Sequence, residues 1–222
     1  ETMIVGSRTM TFEEYKKCHY FRWAVMFGHY LGTVQFISRF LRKHSGIHYR
    51  EFYEKLLDFA YKNPDSIIGK ELIETTNSLE ATLDTKHPWG RILNDVRKNF
   101  AWDFEEATAI TITKNKEKFY TEIKSFITGF LNVDLEEEVL EELIQYQTSA
   151  IIDPSVSYPF VKNFNYNIHE VIHGEDKLEK VNKSMSFAAD NYDSDYYTWG
   201  KEKLWWGRRV AGCKSKVEYA TE

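Results

Sequence analysis

From Tyr49 onward, Phe52, Tyr53, Leu56, Phe59 and Ala60 recur at helical spacing until Asn63-Pro64 stops them. Only an α-helix gathers residues at that spacing onto one face, and proline has no N–H with which to continue it. The same grammar recurs along the chain. Thr11 with Glu14 reads as a capping box ahead of Phe12, Tyr15, His19, Phe21 and Val25. Gly28 and Gly32 permit close packing or a break, and Val34, Ile37, Phe40 and Leu41 then run to Ser45-Gly46. Ile68, Leu72, Leu79 and Leu83 mark another helix before a Lys86-His87-Pro88-Trp89-Gly90 turn. Phe119, Tyr120, Ile123, Phe126, Ile127, Phe130 and Leu131 mark a further one. Asp134 with Glu137 is expected to cap a helix carrying Leu135, Val139, Leu140, Leu143 and Ile144, which Asp153-Pro154 ends.

Three segments read differently. Asp103 with Glu106 has the form of a capping box, yet Ala109-Ile110-Thr111-Ile112-Thr113 alternates like a strand. Phe164, Tyr166 and Ile168 alternate with Asn165 and Asn167, which predicts a short strand, and Met185 with Phe187 predicts a second. A last helix is expected from about Asp195 to Arg209, burying Tyr196, Trp199 and Trp206. The fold class is therefore mainly α, a single helical domain with a small β element in its second half. The 222 residues suffice for a sizeable core.

Composition excludes more than it selects. Net charge is -5, and no stretch is dominated by Lys and Arg, so nucleic-acid binding has no electrostatic footprint. The longest uncharged run, Trp23 to Ser38, contains His29 and Gln35 and is too short and too polar for a membrane span. Cys18 and Cys213 are the only cysteines, so neither a zinc ribbon nor an iron–sulfur cluster can be assembled from this chain alone. Two free thiols point to a reducing, cytoplasmic compartment. The chain begins at Glu1, with no signal peptide ahead of its first structured segment, and reads as a piece of a longer polypeptide. Aromatic residues at 16% suit a ring-rich core, or a docking face for another domain.

One catalytic motif competes for attention. His169-Glu170-Val171-Ile172-His173 has the form H-E-x-x-H, which on a helix sets two imidazoles on one face to bind zinc with the glutamate as general base. Against it, the preceding residues alternate like a strand, and Gly174 ends any helix at the second histidine. Catalytic zinc also needs a third protein ligand, and position 179 is Glu179 rather than histidine. Glu179, Asp190 and Asp193 are the remaining acids within reach in sequence. A stand-alone zinc hydrolase using His169, Glu170 and His173 is thus an alternative reading, and a generic helical protein-interaction domain is another.

Weaker constellations dissolve on inspection. Glu136, Glu137, Glu138, Glu141 and Glu142 favour a helix dipole and are expected to face water. His44 and His48 are separated by Ser45-Gly46, and adjacent Cys18 and His19 diverge on a helix.

A set of ordered signals places the chain more closely. Trp102-Asp103-Phe104-Glu105-Glu106-Ala107 is followed by Lys118-Phe119-Tyr120-Thr121-Glu122-Ile123, Gln145-Tyr146-Gln147 and Trp205-Trp206-Gly207-Arg208-Arg209. With Gly6-Ser7-Arg8-Thr9-Met10-Thr11 and Trp23, this order resembles the carboxy-terminal region of cobalamin-dependent radical S-adenosylmethionine (SAM) enzymes. The resemblance covers nearly the whole chain and rests on many short matches rather than one motif. Phe104 stands where prolines are common in similar sequences, which puts the local turn in question.

The resemblance implies a non-catalytic accessory region that packs on a radical SAM barrel and helps to shape the substrate cavity. Residues 1–10 would lead in from that barrel and residues 11–222 would form the helical domain. The [4Fe–4S] cluster, SAM and cobalamin would belong to upstream radical SAM and cobalamin-binding domains of the same polypeptide. No catalytic, cofactor-binding or metal-binding residue is carried over to a position here. Arg8, Trp205, Trp206 and Arg208 are the residues expected to face the barrel. Adjacent tryptophans on a helix point about 100° apart, so one ring should face the domain core and the other a second surface.

Overall fold

A computed structural model describes residues 7–84, 89–174, 177–205 and 213–220. Helix α1 (Phe12–Val25) starts at the expected Thr11–Glu14 capping box and runs into a π-helical turn, Met26–Tyr30. Helices α2 (Gln35–His44), α3 (Tyr49–Lys62) and α4 (Ile67–Leu83) follow, their ends near the glycine and proline breaks. A two-stranded antiparallel ribbon, β1 (Arg91–Ile92) with β2 (Ala101–Trp102), leads to α5 (Phe104–Lys114). Next come α6 (Lys116–Ser125), its π-helical extension Phe126–Phe130, and α7 (Glu137–Ala150). The last part alternates β3 (Phe160–Tyr166), α8 (Ile168–His173), β4 (Lys180–Ala188), α9 (Tyr196–Trp199) with a π-helical turn Gly200–Leu204, and β5 (Lys216–Tyr219). Strands β3, β4 and β5 form one antiparallel sheet in that order. The chain is mainly α with a small β element, as its periodicities require.

Several local expectations are corrected. The stretch Ala109–Thr113 is helical, within α5. Nearly every residue of α5 is buried, so no polar face marks the helical period, and its Thr/Ile alternation mimics a strand. In α1 the buried residues are His19, Tyr20, Trp23 and Ala24, while Phe12 keeps 40% of its surface exposed. Helix α7 begins at Glu137 behind an extended Glu136 rather than at an Asp134 cap. The strand predicted through Ile168 stops at Tyr166, because Ile168 is the buried first residue of α8. The closing helix ends at Leu204, and Trp205 is already extended. Phe104 needs no proline: it is the first residue of α5, fully buried, with its ring edge-on to His19 at 5.2 Å.

Two apolar clusters result. The larger packs α1 to α4 against α6, α7, α8 and the inner face of the sheet. The smaller gathers Leu31, Trp102, Ile110, Tyr192, Trp199 and Leu204. Close approach explains two glycines: a Cβ on Gly28 would stand 2.7 Å from the Tyr53 ring, and one on Gly200 would stand 2.7 Å from Trp102. Polar clamps pin the helices together. Glu71 and Arg91 pair at 2.5 Å inside the protein, Thr108 donates to the same Glu71 carboxylate at 2.8 Å, and Trp23 Nε1 donates to Thr108 at 3.0 Å. A buried pair with this many hydrogen bonds fixes one arrangement of α1, α4, α5 and β1.

Candidate functional site

The histidine motif lies on a helix after all. Asn167 explains how: its backbone N–H donates to the Glu179 carbonyl at 3.1 Å, its side-chain amide donates to Lys177, and its side-chain oxygen accepts from Glu179 N. That clamp ends β3 and turns the chain into α8, whose Ile168, Val171 and Ile172 are buried against α2 and α7. Four-residue spacing then puts the His169 and His173 imidazoles on one face, with ring centroids 4.5 Å apart. The Tyr146 hydroxyl of α7 stands 2.7 Å from His169 Nδ1 and 3.2 Å from His173 Nε2. One hydroxyl proton serves one ring, so the hydroxyl oxygen accepts from the other.

The rest of the zincin arrangement does not assemble. Gly174 ends α8 immediately after His173. Glu170 points to the sheet, where Lys183 and the Tyr219 hydroxyl both donate to its carboxylate. Glu179 is exposed and tied by its backbone to Asn167. Among the described residues, no group of three or more His, Cys, Asp or Glu side chains is placed to hold a metal ion. Burial pushes the His169 imidazole down, against the pull of Glu170. His173 keeps an exposed edge, yet burial of the rest of the ring, with His169, Arg39, Lys214 and Lys43 around it, pushes it down to about 4. Both rings are therefore neutral near pH 7.

The positive charges around His173 have their own geometry. Arg39 on α2 is half-buried. Lys214 is half-buried just before β5, held by the Ile151–Lys214 bridge and by Ser215 N donating to the Ala150 carbonyl. Its stem packs over Gly32, and its ammonium lies 6.0 Å from the Phe36 ring centroid. Lys43 donates to the Gly174 carbonyl. On the other side, His29 Nδ1 lies 3.2 Å from the Tyr53 hydroxyl. Burial, then Lys214 and Arg39, push His29 down as well.

Two of the expected docking residues lie among the described ones. Arg8 is exposed at a turn closed by Ser7 N donating to the Met10 carbonyl at 2.8 Å. Trp205 is 38% exposed and lies against Phe100, ring centroids 5.6 Å apart, with the Lys201 ammonium 3.7 Å from its ring centre. Trp206 and Arg208 lie outside the described residues. Cys18 opens onto a groove of about 900 Å³ between α1 and α3, while its neighbour His19 turns into the core, so the two do diverge. His44 stacks on Phe40 and His48 precedes α3, where Arg42 donates to it at 3.1 Å.

Sequence reasoning missed what holds the site. Gln147 is fully buried, and its Oε1 accepts from Phe36 N at 2.9 Å and Ile37 N at 3.3 Å, while its Nε2 donates to the Gly32 carbonyl at 2.8 Å. It thereby caps α2 from another helix and fixes where Arg39 projects. Glu142, expected to face water, accepts from Asn165 N at 2.7 Å and Tyr166 N at 3.0 Å and holds β3 to α7. Two of the quoted segments supply such clamps: besides Gln147, in the segment 118–123 Glu122 accepts from Ile67 N at 2.8 Å and the Tyr120 hydroxyl donates to the Thr33 carbonyl at 2.7 Å.

No family model matches the chain. Two curated relatives do. A 2-(S-pantetheinyl)-carbapenam-3-carboxylate methyltransferase of Streptantibioticus cattleyicolor is 24% identical over 163 residues, covering 68% of this chain and 24% of that protein. The cobalamin-dependent radical SAM methyltransferase TokK of Streptomyces tokunonensis is 21% identical over 182 residues, covering 74% and 26% respectively. The chain thus spans about a quarter of the length of the curated relatives it matches, and those distant relatives are methyltransferases, one of them named as cobalamin-dependent and radical SAM.

Proposed function

We propose that this chain is the carboxy-terminal accessory region of a cobalamin-dependent radical SAM enzyme, packing on the barrel and helping to shape the substrate cavity. The observation that carries the reading is the similarity of most of the chain to two methyltransferases roughly four times its matched length. The order of signature segments agrees with it. In this reading residues 1–10 lead in from the barrel and residues 11–222 form the accessory domain. The cluster, SAM and cobalamin are held by upstream domains of one cytoplasmic polypeptide. No helix among the described residues is long and apolar enough to cross a membrane, which agrees with that placement.

The donor set fits a supporting role. A radical SAM cluster needs three clustered thiolates, and this chain has two cysteines, Cys18 exposed on α1 and Cys213 buried before β5. What the chain supplies is shape and rigid positioning. The test has two arms. The polypeptide upstream of Glu1 should carry a C-x-x-x-C-x-x-C cluster. The isolated 222-residue chain should neither cleave SAM under anaerobic reducing conditions nor shift the visible spectrum of hydroxocobalamin. An upstream sequence without the cluster, or SAM turnover by the isolated chain, overturns the reading.

A further inference from the structure

We propose that His169, His173 and Tyr146 form a binding site for a divalent transition-metal ion, copper(II) most tightly, where α8 lies against α7. The site belongs to the chain as folded and does not depend on which enzyme the chain completes.

Three donor atoms meet there. The Tyr146 hydroxyl oxygen stands 2.7 Å from His169 Nδ1 and 3.2 Å from His173 Nε2, and the two imidazoles lie 4.5 Å apart between centroids. Ligand atoms that share one ion, with bonds of roughly 2.0–2.2 Å at about 90–109°, sit about 2.8–3.5 Å from one another. Both measured spacings are close to that range, and both nitrogens already turn toward a common point. When an ion binds, the imidazole N–H that faces the hydroxyl moves to the other nitrogen of its ring, so both rings coordinate as neutral donors. The phenol gives its proton to solvent, and the site then gains one positive charge rather than two.

The donors are held in place. Tyr146 is fully buried on α7 beside the Gln147 clamp, and buried Ile168, Val171 and Ile172 anchor α8. His173 is exposed and His169 half-buried, so an ion arrives from solvent and waters complete its shell. Among the described residues no third His, Cys, Asp or Glu joins the pair, and Glu170 is held by Lys183 and Tyr219. With no base beside it, the ion fastens α8 to α7 rather than driving hydrolysis. The surroundings also choose the ion. Lys43, Arg39 and Lys214 oppose a cation at His173, Lys43 from its hydrogen bond to the Gly174 carbonyl. Only an ion with strong bonds to imidazole overcomes that repulsion, and copper(II) heads the order for such donors.

The experiment titrates the 222-residue chain with copper(II) chloride and, separately, with zinc chloride. The chain carries Cys18→Ser, because an exposed thiol also takes copper. Copper should bind at one equivalent, giving an electron spin resonance spectrum with two nitrogen ligands and a visible phenolate-to-copper absorption band. Burial keeps the metal-free Tyr146 hydroxyl protonated, so that band reports only an ion seated on its oxygen. Zinc should bind more weakly and displace copper only in excess. His169→Gln and His173→Gln should each weaken copper binding about 100-fold, the upper end of what losing an outer-shell partner costs a metal site. His173 is exposed, so its replacement leaves the fold intact. Tyr146→Phe should erase the band and keep the two-nitrogen spectrum. No saturable binding, binding that His173→Gln leaves unchanged, or two-nitrogen binding without the band overturns the site. Copper held instead by His44 and His48 would appear as the second of these outcomes.

Discussion

At the scale of single residues, the chain tolerates neutral histidines where charged ones would not survive. His19 is the clearest case. It is buried between Trp89 and Phe104, each edge-on at 5.6 and 5.2 Å, and its Nε2 finds no hydrogen-bond partner among the described residues. Burial, with Arg22 nearby, holds its imidazole down at about 4. An unfolded histidine titrates near 6.5, so between the two values the unfolded chain binds more protons and unfolding becomes easier as pH falls. The stability His19 protects is complete above the unfolded value and is lost as pH drops through the folded one. That amounts to at most ~3 kcal/mol. Replacing His19 with Leu should flatten the fall in urea midpoint between neutral and mildly acidic pH. Because lowered carboxylates such as Asp95 and Glu170 also lose their ionised form in acid, the informative quantity is the difference between variant and parent. Identical pH profiles would show that His19 is protonated in the folded protein without cost.

At the scale of elements, the amphipathic helices announce themselves and the fully buried ones do not. Helix α3 has one wet face, so Phe52, Tyr53, Leu56, Phe59 and Ala60 stand out in sequence and are all buried. Helix α5 has no wet face, its Thr108 bonded to Glu71 and its Thr113 donating to the Ala109 carbonyl at 2.8 Å, so nothing in the pattern distinguishes it from a strand. Strand β5 escapes notice because its four residues make sense only beside β4. The candidate site was half-legible: i,i+4 histidines are a visible motif, whereas the Tyr146 hydroxyl reaches both rings only through long-range packing. Gln147 is the sharpest example of that limit, a residue whose role lies in a helix more than a hundred positions away. Gln147→Leu should leave the Phe36 and Ile37 N–H groups unpaired, the Gly32 carbonyl keeping Gln35 N, and cost about 2 kcal/mol or more in urea unfolding. Gln147→Glu keeps the acceptor for Phe36 and Ile37 but not the donor to Gly32, and should fall between. A loss under ~1 kcal/mol for the leucine variant would mean that α2 finds another cap.

At the scale of the whole molecule, the proposed function turns on which surface would meet a radical SAM barrel. Docking faces are rich in aromatic rings that keep one side dry and the other available. Trp205 fits that description: it is 38% exposed, with Phe100 packed beside it, Tyr197 edge-on to Phe100 at 5.5 Å, and Lys201 over both Phe100 and Trp205. Trp23, Trp102 and Trp199 are sealed in the core and cannot serve, while Trp89 is half-buried against His19 and Phe104. Oxidative footprinting separates them. In the isolated chain Trp205 should be modified far faster than those three. In the full polypeptide its rate should fall toward theirs, because a barrel seated on the ring excludes the reagent. Trp205→Ala should change the urea midpoint of the isolated chain little, since a partly exposed ring contributes little burial. The same substitution should make the upstream domains of the full polypeptide easier to cleave with protease. Equal modification of Trp205 in both contexts would mean that this face stays in water and is not the surface that meets the proposed barrel.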